Sequence, residues 1–524
     1  MRAATRRDAL IVVSIAAASL AVRAVFALGT DVFQDEVVYW WQAGAGLTFV
    51  PHPPVTALAM RLGLALLGRG VAGLRVTSLL AGTGVVLLGY VLARQMAGRR
   101  AGLWAAGLVA ACPLMTALGA VGTPDAPLLF FWLLFVCVSR QAVRTGRATW
   151  WVAAGVALAA GLYTKYMMVL VLPSLALAML CTAAGRRALR RAAPWLALSG
   201  GFLAFAVPFL IWDGRHGWPT LQYHLRGRHV LHPELRSSVM YVFAHVGAVS
   251  PVLFGAVVWG MVRWFRRWRR GDERGAWLVS FFAVPVAFFL LPSVLTVRLM
   301  IRVHWDSMAY AVGLVGLACL MHEAGLRGRA LRRRRRWACA GTGLAALVTA
   351  MALTLCIWPG LAVAAGMEPP TTRILGWRGL GERVQALRAG WDGPEPFVLA
   401  ESFRTILPVA FYLDERDDVY SLWHYRNVRY GLVEQMRAWG IDELALAARC
   451  QGRDGIYVHE FHFSSHEQAE DPPDHIYRLV DELETLGDYY VEVGGRRVKH
   501  FGLFRIRDLQ PRLIRTSPAR PRQP

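Results

Sequence analysis

The sequence predicts a polytopic α-helical membrane protein of about eleven transmembrane helices, followed by a C-terminal extracytoplasmic α/β domain. Three observations carry that prediction. The 524 residues are 55% hydrophobic with a mean hydropathy of +0.37, and the apolar residues fall into repeated runs of about 17–22, the length a bilayer demands. The net charge of +23 comes mostly from arginine, clustered in short loops between those runs, as the positive-inside rule requires. After about residue 359 the apolar density drops and charges of both signs appear. A soluble chain of this length would instead divide into several domains, each with its own core. Nucleic acid is set aside as a partner, because no RNA- or DNA-binding motif accompanies the charge.

Met1 to Arg7 carries three arginines ahead of the first apolar run, without a convincing small-residue cleavage site, so it reads as a retained first helix. The apolar segments are roughly 9–29, 71–93, 101–121, 126–142, 149–163, 166–184, 193–212, 238–261, 276–292, 305–322 and 337–358. Basic connections recur at Arg2/Arg6/Arg7, Arg94/Arg99/Arg100, Arg140/Arg144/Arg147, Arg186/Arg187/Arg190/Arg191, Arg263 to Arg274 and Arg327 to Arg336. Their alternation with less basic loops predicts a multi-pass plasma (inner) membrane protein with a cytoplasmic N-terminus and an outside loop containing Asp35. The near-continuous run 149–184 is broken only around Tyr163-Thr164-Lys165-Tyr166. Two helices with a tight outer turn at Lys165 keep every later basic loop inside; one tilted helix would invert them.

Residues 1–358 therefore read as the membrane domain, 359–515 as the extracytoplasmic domain and 516–524 as a disordered tail. In the outer domain Phe397-Val-Leu-Ala, Val419-Tyr-Ser-Leu and Gly455-Ile-Tyr-Val-His read as strands, with helical patterns near 372–390, 428–448 and 473–486. The seven cysteines form no CxxC pair, and neither a disulfide framework nor zinc-ligand spacing is present. No internal or inverted repeat is seen.

The most informative stretch is Asp31-Val-Phe-Gln-Asp35-Glu36-Val-Val-Tyr39-Trp40-Trp41, followed by His52-Pro53-Pro54. Carboxylates beside a membrane face are costly and usually have a task. With this topology several polar groups share the outer side: Asp35, Glu36 and His52, then Asp125 in Gly122-Thr-Pro-Asp-Ala-Pro127, Lys165, His216, Arg228, Arg298, Arg302 and His304. A phosphate-linked lipid donor needs cations to hold its phosphate and neutralise the leaving group. An acceptor hydroxyl needs a carboxylate base. Sugar transfer from a lipid phosphate uses both sets, whereas nucleotide hydrolysis would need a P-loop, which is absent.

Each residue also has a plainer reading. Asp35 and Asp125 suit helix starts, His52 a turn, Lys165 a helix end, and Arg298 and Arg302 headgroup contacts. Trp40 and Trp41 suit an interfacial belt. His459-Glu-Phe-His462-Phe-Ser-Ser-His466 has a period-2 pattern that reads as a strand running into a loop rather than a metal cluster. No metal motif is clear, which leaves a divalent cation open.

The order of these motifs resembles glycosyltransferase family 39, with the aminoarabinose transferases and protein O-mannosyltransferases. The matching pieces are Gln34 to Trp41, His52-Pro53-Pro54, Thr123-Pro124-Asp125-Ala126-Pro127-Leu128, Thr164-Lys165-Tyr166, His216-Gly217-Trp218-Pro219, Arg228, Val303-His304-Trp305 and Ala410-Phe411-Tyr412-Leu413. The resemblance implies a GT-C fold, a polyprenyl-phosphate sugar donor, an inverting transfer, and a lipid, glycan or protein acceptor. It implies that Asp35 is the base, while Glu36 and Asp125 position sugar or acceptor. Lys165, Arg228 and Arg298 or Arg302 would hold phosphate. In aminoarabinose transferases a phosphate-contacting lysine precedes the Pro-Pro, where this chain has His52. Many relatives carry Asn-Trp-Pro where this chain has His304-Trp305-Asp306. The rival readings are a non-enzymatic polyprenyl-lipid binder or transporter, for which ionisable groups near the midplane are expected, and a lipid phosphotransferase, which has less use for the acidic pair.

Overall fold

A computed structural model describes residues 2–46, 48–50, 52–223, 235–295, 303–323, 329–369, 372–461, 476 and 483–510. The chain forms two compact units. The first comprises Met1–Leu28, His52–Trp218 and Arg228–Leu353; the second comprises Gly29–Pro51, Pro219–Gly227 and Thr354–Pro524. The loop holding Asp35 thus groups with the C-terminal part, a grouping that chain order does not suggest.

Among the described residues six helices are long and apolar enough to cross a bilayer: Arg6–Gly29, Val71–Ala97, Asp125–Thr145, Ala192–Arg215, Glu273–Leu290 and Cys339–Ile357. Two further apolar pairs are sharply bent, Tyr166–Leu180 with Ala183–Leu189 by 114° and Val239–Val249 with Pro251–Trp268 by 109°, which makes eight if each pair is one span. The eleven runs of the hydropathy reading therefore include short and broken helices. Run 101–121 breaks at Cys112, between helices Arg99–Ala111 and Pro113–Leu118, because Pro113 has no N–H to continue the ladder and disfavours helical backbone before it. Run 238–261 turns at Ser250, whose φ of 80° lies in the left-handed region and precedes Pro251. Ala148–Leu162 and Ser307–Glu323 are apolar but shorter. The break expected at Lys165 is present: Ala148–Leu162 ends there, Lys165 is extended, and a 3₁₀ turn, Tyr166–Leu170, follows.

Ser307–Glu323 is the central helix of the first unit, with every residue from Ser307 to Leu320 buried. It is apolar all round, as a helix enclosed by others must be. Trp264 closes one side, its indole donating to the Gly316 carbonyl at 2.9 Å. Helices Ala148–Leu162 and Ala192–Arg215 meet where Gly155 and Gly201 face each other. A Cβ on Gly201 would lie 2.2 Å from the Gly155 carbonyl oxygen, so only hydrogen fits at this crossing.

The second unit holds a five-stranded mixed sheet: β1 (Phe397–Ala400), β2 (Val419–Ser421), β3 (Gly455–Phe461), β4 (Leu483–Val493) and β5 (Arg496–Ile506), in the order β2-β1-β3-β5-β4. β1 pairs in parallel with β2 and β3, while β5 runs antiparallel to β3 and β4. Its core joins Phe397, Leu399, Tyr420, Tyr457 and Ile506. The first three strands lie where the sequence placed them. Of the helical pattern assigned to 473–486, the part from Leu483 is corrected, since β4 begins there, and residues 473–475 and 477–482 lie outside the described residues. Tyr489, Tyr490, Val491 and Val493 favour a strand, and Gly494-Gly495, with φ of 57° and 77°, supply the two positive-φ positions of a tight hairpin. The helix assigned to 428–448 is split at Gly440 into Val433–Trp439 and Glu443–Cys450.

The Gly29–Pro51 stretch is tied to the rest of its unit by both chemistry and packing. Asp31 Oδ2 accepts from the Arg378 amide at 3.3 Å, and the Val32 amide donates to the Tyr412 hydroxyl at 3.2 Å. Trp40 meets Phe411 edge-on at 5.3 Å and lies under the Arg416 guanidinium at 4.5 Å. Trp40 and Trp41 are 4% and 3% exposed, so they are core residues of this unit, which corrects the interfacial-belt reading.

Candidate functional site

Asp125 is the first residue of its helix, where the N-terminal partial charge favours a carboxylate. Thr123 Oγ1 donates to its Oδ2 at 3.1 Å, and Lys165 Nζ donates to its Oδ1 at 2.6 Å. The two charged side chains are only 3% and 7% exposed. Both His52 and His304 lie within electrostatic range of this carboxylate. The Val55 amide also donates to the Tyr163 carbonyl at 3.0 Å, which ties the His52-Pro53-Pro54 turn to the Lys165 turn. Four predicted residues, from parts of the chain far apart, are thus gathered in the first unit.

The chemistry of this group follows from its donors. An ammonium has three N–H donors and no acceptor, and among the described residues Asp125 is the one hydrogen-bond partner of the Lys165 ammonium. The pair is neutral as a whole, so the charge of a buried ammonium is tolerated. Two donor directions and two imidazoles that can carry protons suit an anion with several oxygens, such as a phosphate.

Asp35 and Glu36 belong to the second unit and differ from each other. Glu36 is fully buried, and its Oε1 accepts from the Phe33 amide at 2.8 Å, holding the turn before helix Glu36–Ala45. Asp35 stands at the N-cap position, but its side chain makes no capping bond, and it is half-buried. The plain N-cap reading of Asp35 is not what the structure shows. Of the remaining candidates, His216 stacks on Trp212 at 4.3 Å, with Nδ1 2.7 Å from the Trp212 carbonyl oxygen, so its ring is held by its own helix end. Arg228, Arg298 and Arg302 lie outside the described residues. His459 lies on β3, with its Nδ1 3.1 Å from the Tyr457 hydroxyl. His462 and His466 lie outside the described residues.

One cluster was missed by sequence reasoning. Asp306 Oδ1 lies 2.7 Å from His245 Nε2, its Oδ2 accepts from the Tyr241 hydroxyl, and His245 Nδ1 lies 2.7 Å from the Tyr241 carbonyl oxygen. His245 and Asp306 are 0% and 1% exposed. A carbonyl oxygen can only accept, so Nδ1 must carry hydrogen, and the Asp306–His245 contact then holds one shared proton. The signal available in the sequence was a histidine inside an apolar run and an acid at the start of another. Asp306 anchors the turn that carries His304.

In sequence and in fold the chain is similar to membrane glycosyltransferases of the GT-C type. Residues 51–212 match the family described as dolichyl-phosphate-mannose-protein mannosyltransferase. Lipid A galacturonosyltransferase RgtD of Rhizobium johnstonii is 25% identical over 437 residues, which are 81% of this chain and 85% of that protein. Among solved structures, ArnT from Cupriavidus metallidurans, bound to undecaprenyl phosphate, superposes with a TM-score of 0.63 at 15% identity, covering 94% of this chain and 97% of ArnT. The archaeal oligosaccharyltransferase AglB from Archaeoglobus fulgidus, in complex with an inhibitory peptide and a dolichol-phosphate, has a TM-score of 0.50 at 12% identity, covering 86% and 69%. At these identities the solved structures establish the fold alone.

Proposed function

We propose that the protein transfers one sugar, with inversion, from a polyprenyl-phosphate donor to an extracytoplasmic acceptor that is a lipid, glycan or protein. The observation that carries this reading is the buried Asp125–Lys165 pair with His52 and His304 in range. It supplies cationic donors for a phosphate within an otherwise apolar bundle. In the transfer, the acceptor oxygen attacks the anomeric carbon, the bond from that carbon to the phosphate oxygen breaks, and its electron pair leaves with the polyprenyl phosphate. Lys165 stabilises that leaving charge. Asp35 takes the acceptor proton, a role that follows the family resemblance. Asp125 fixes the Lys165 ammonium, and Glu36 shapes the turn that carries Asp35. The name of RgtD supports the same class of reaction, and the undecaprenyl phosphate bound to ArnT, which is similar in fold, is in keeping with a polyprenyl-phosphate ligand. The proposed setting is the plasma membrane, with the N-terminus cytoplasmic and the C-terminal unit outside.

Binding and turnover separate the two roles. Lys165→Met keeps the stem and removes the charge, so undecaprenyl-phosphate affinity should fall by about 1.5–3 kcal/mol, the worth of a charged hydrogen bond. Asp35→Asn should leave that binding intact and lower transfer from polyprenyl-phosphate sugars by on the order of 10²–10⁴, the contribution of a general base. Unchanged binding in a folded Lys165→Met protein would remove the phosphate assignment. Binding without sugar consumption by the wild-type protein would favour the lipid binder or transporter.

A further inference from the structure

The helix pair Tyr166–Leu180 and Ala183–Leu189, bent by 114°, frames a second lipid-facing feature away from the Asp125–Lys165 group. Between it and helix Ala192–Arg215 runs an apolar groove of about 590 Å³, walled by Leu172, Ala176, Met179, Leu189, Trp195 and Phe202, among others. Trp195 is 57% exposed, yet its indole donates to the Leu189 carbonyl at 2.9 Å, which fixes the ring at the groove mouth. A tryptophan with one apolar face and one anchored N–H is suited to the headgroup level.

The mouth of the groove is strongly cationic. Arg186, Arg187, Arg190 and Arg191 are all exposed and flank Leu189, itself a groove residue. Arg186 donates to the Leu180 carbonyl at 2.9 Å and Arg191 to the Gly146 carbonyl at 3.3 Å, contacts that neutralise neither charge. Among the described residues the guanidinium groups of Arg187 and Arg190 make no hydrogen bond or ion pair. The nearby acid, Glu273, is engaged by the Ala183 amide at 2.8 Å. Four cations around the end of an apolar groove match a ligand with an anionic head and hydrocarbon chains.

We infer that this groove binds a two-chain anionic phospholipid, with its phosphate among Arg186, Arg187, Arg190 and Arg191 and an acyl chain along Leu172 to Met179. The position of the charge selects this ligand over the polyprenyl phosphate of the proposed reaction. Tyr166–Leu180 separates Lys165 from the arginines by its whole length, roughly 20–25 Å at helical rise. A lipid whose phosphate sits at Lys165 would place only hydrocarbon here and leave the arginines unmatched. The inference does not depend on which face of the membrane the arginines occupy, nor on the proposed activity.

Native mass spectrometry of the purified full-length protein tests it, with phosphatidylglycerol, phosphatidylcholine and undecaprenyl phosphate as probes. Phosphatidylglycerol should be retained over phosphatidylcholine. Arg187→Gln with Arg190→Gln should lower that retention by on the order of tenfold or more, since each surface cation contributes a few-fold to anionic-lipid binding. Ser199→Trp, which fills the groove and leaves the arginines in place, should lower it as well. Equal retention of the two phospholipids, or phosphatidylglycerol retention unchanged in both variants, would overturn the site. Stoichiometric displacement of phosphatidylglycerol by undecaprenyl phosphate would also overturn it, by making the groove part of the donor's path.

Discussion

The residues that matter most are buried charges, and their consequences differ with their partners. Asp306 accepts from both Tyr241 and His245, so Asp306→Ala would strand a buried imidazole and a hydroxyl together. Removing one partner of a buried pair costs on the order of 3–5 kcal/mol, and thermal unfolding in detergent should show it. Adding His245→Leu should recover part of the loss, because the stranded imidazole is then gone too. Lys499 shows the opposite balance. It sits over the Trp377 ring at 3.7 Å, with the Glu460 carboxylate 3.9 Å away. Burial lowers its pKa from 10.5 to about 8, with Glu460 and Asp31 opposing the shift. Between those values the unfolded chain binds more protons than the folded one, so stability rises with pH. The penalty is full below pH 8 and is relieved as pH climbs toward 10.5, by up to about 3 kcal/mol. Protection factors of the β5 amides in the full chain, taken relative to their base-catalysed intrinsic rates, should rise across that window, and Lys499→Met should flatten the dependence. Asp125 and Lys165 were each legible in the sequence from an acid in a short polar turn and a lysine interrupting an apolar run. Their pairing was not legible, because 40 residues separate them and only the fold closes that gap. Asp306 and His245 were hidden for the same reason, and because His245 stands alone among apolar neighbours.

At the scale of elements, adjacent glycines offer a controlled comparison. A Cβ on Gly201 meets the Gly155 carbonyl oxygen at 2.2 Å, while one on Gly200 meets nothing within 4 Å. Gly201→Ala must therefore spread two helix backbones and should lower detergent stability by about 1–3 kcal/mol, the usual cost of overpacking. Gly200→Ala should be neutral or stabilising, by up to about 1 kcal/mol from helix propensity. Equal effects at the two sites would mean that the crossing is looser than its geometry implies. Hydropathy located most helices of the first unit, missing Val55–Leu67, and of their breaks it found the one at Lys165 alone. The turn at Ser250 and the stop at Cys112 depend on Pro251 and Pro113, which a window of apolar residues averages away. In the second unit the β1, β2 and β3 segments were legible as short apolar runs. β4 was not, because most of it is partly or fully exposed without a clean alternation, and Glu484, Asp488 and Glu492 along it mimic a polar helix face.

For the whole molecule, the grouping of Gly29–Pro51 with Thr354–Pro524 changes what the C-terminal part is expected to do. The sequence placed Asp35 in the membrane domain, since only flanking hydropathy was visible. In the folded chain the Asp35 loop takes its partners from far along the chain: Arg378, Tyr412, Phe411 and Arg416, and also Gln435, which lies 2.8 Å from Thr48 Oγ1. These contacts bury the apolar side chains of the loop, among them Val37, Trp40 and Trp41, against distant parts of the chain. Truncation after about residue 365 removes all of them. Transfer should then be lost because Asp35 is no longer held, while undecaprenyl-phosphate binding stays measurable because Asp125, Lys165, His52 and His304 belong to the other unit. Restoring only the covalent length with a flexible linker should not recover transfer. Abolished phosphate-lipid binding in a well-folded truncation would place the C-terminal unit in donor recognition instead. Unimpaired transfer would show that the loop orders itself and that these long-range contacts do not serve the reaction.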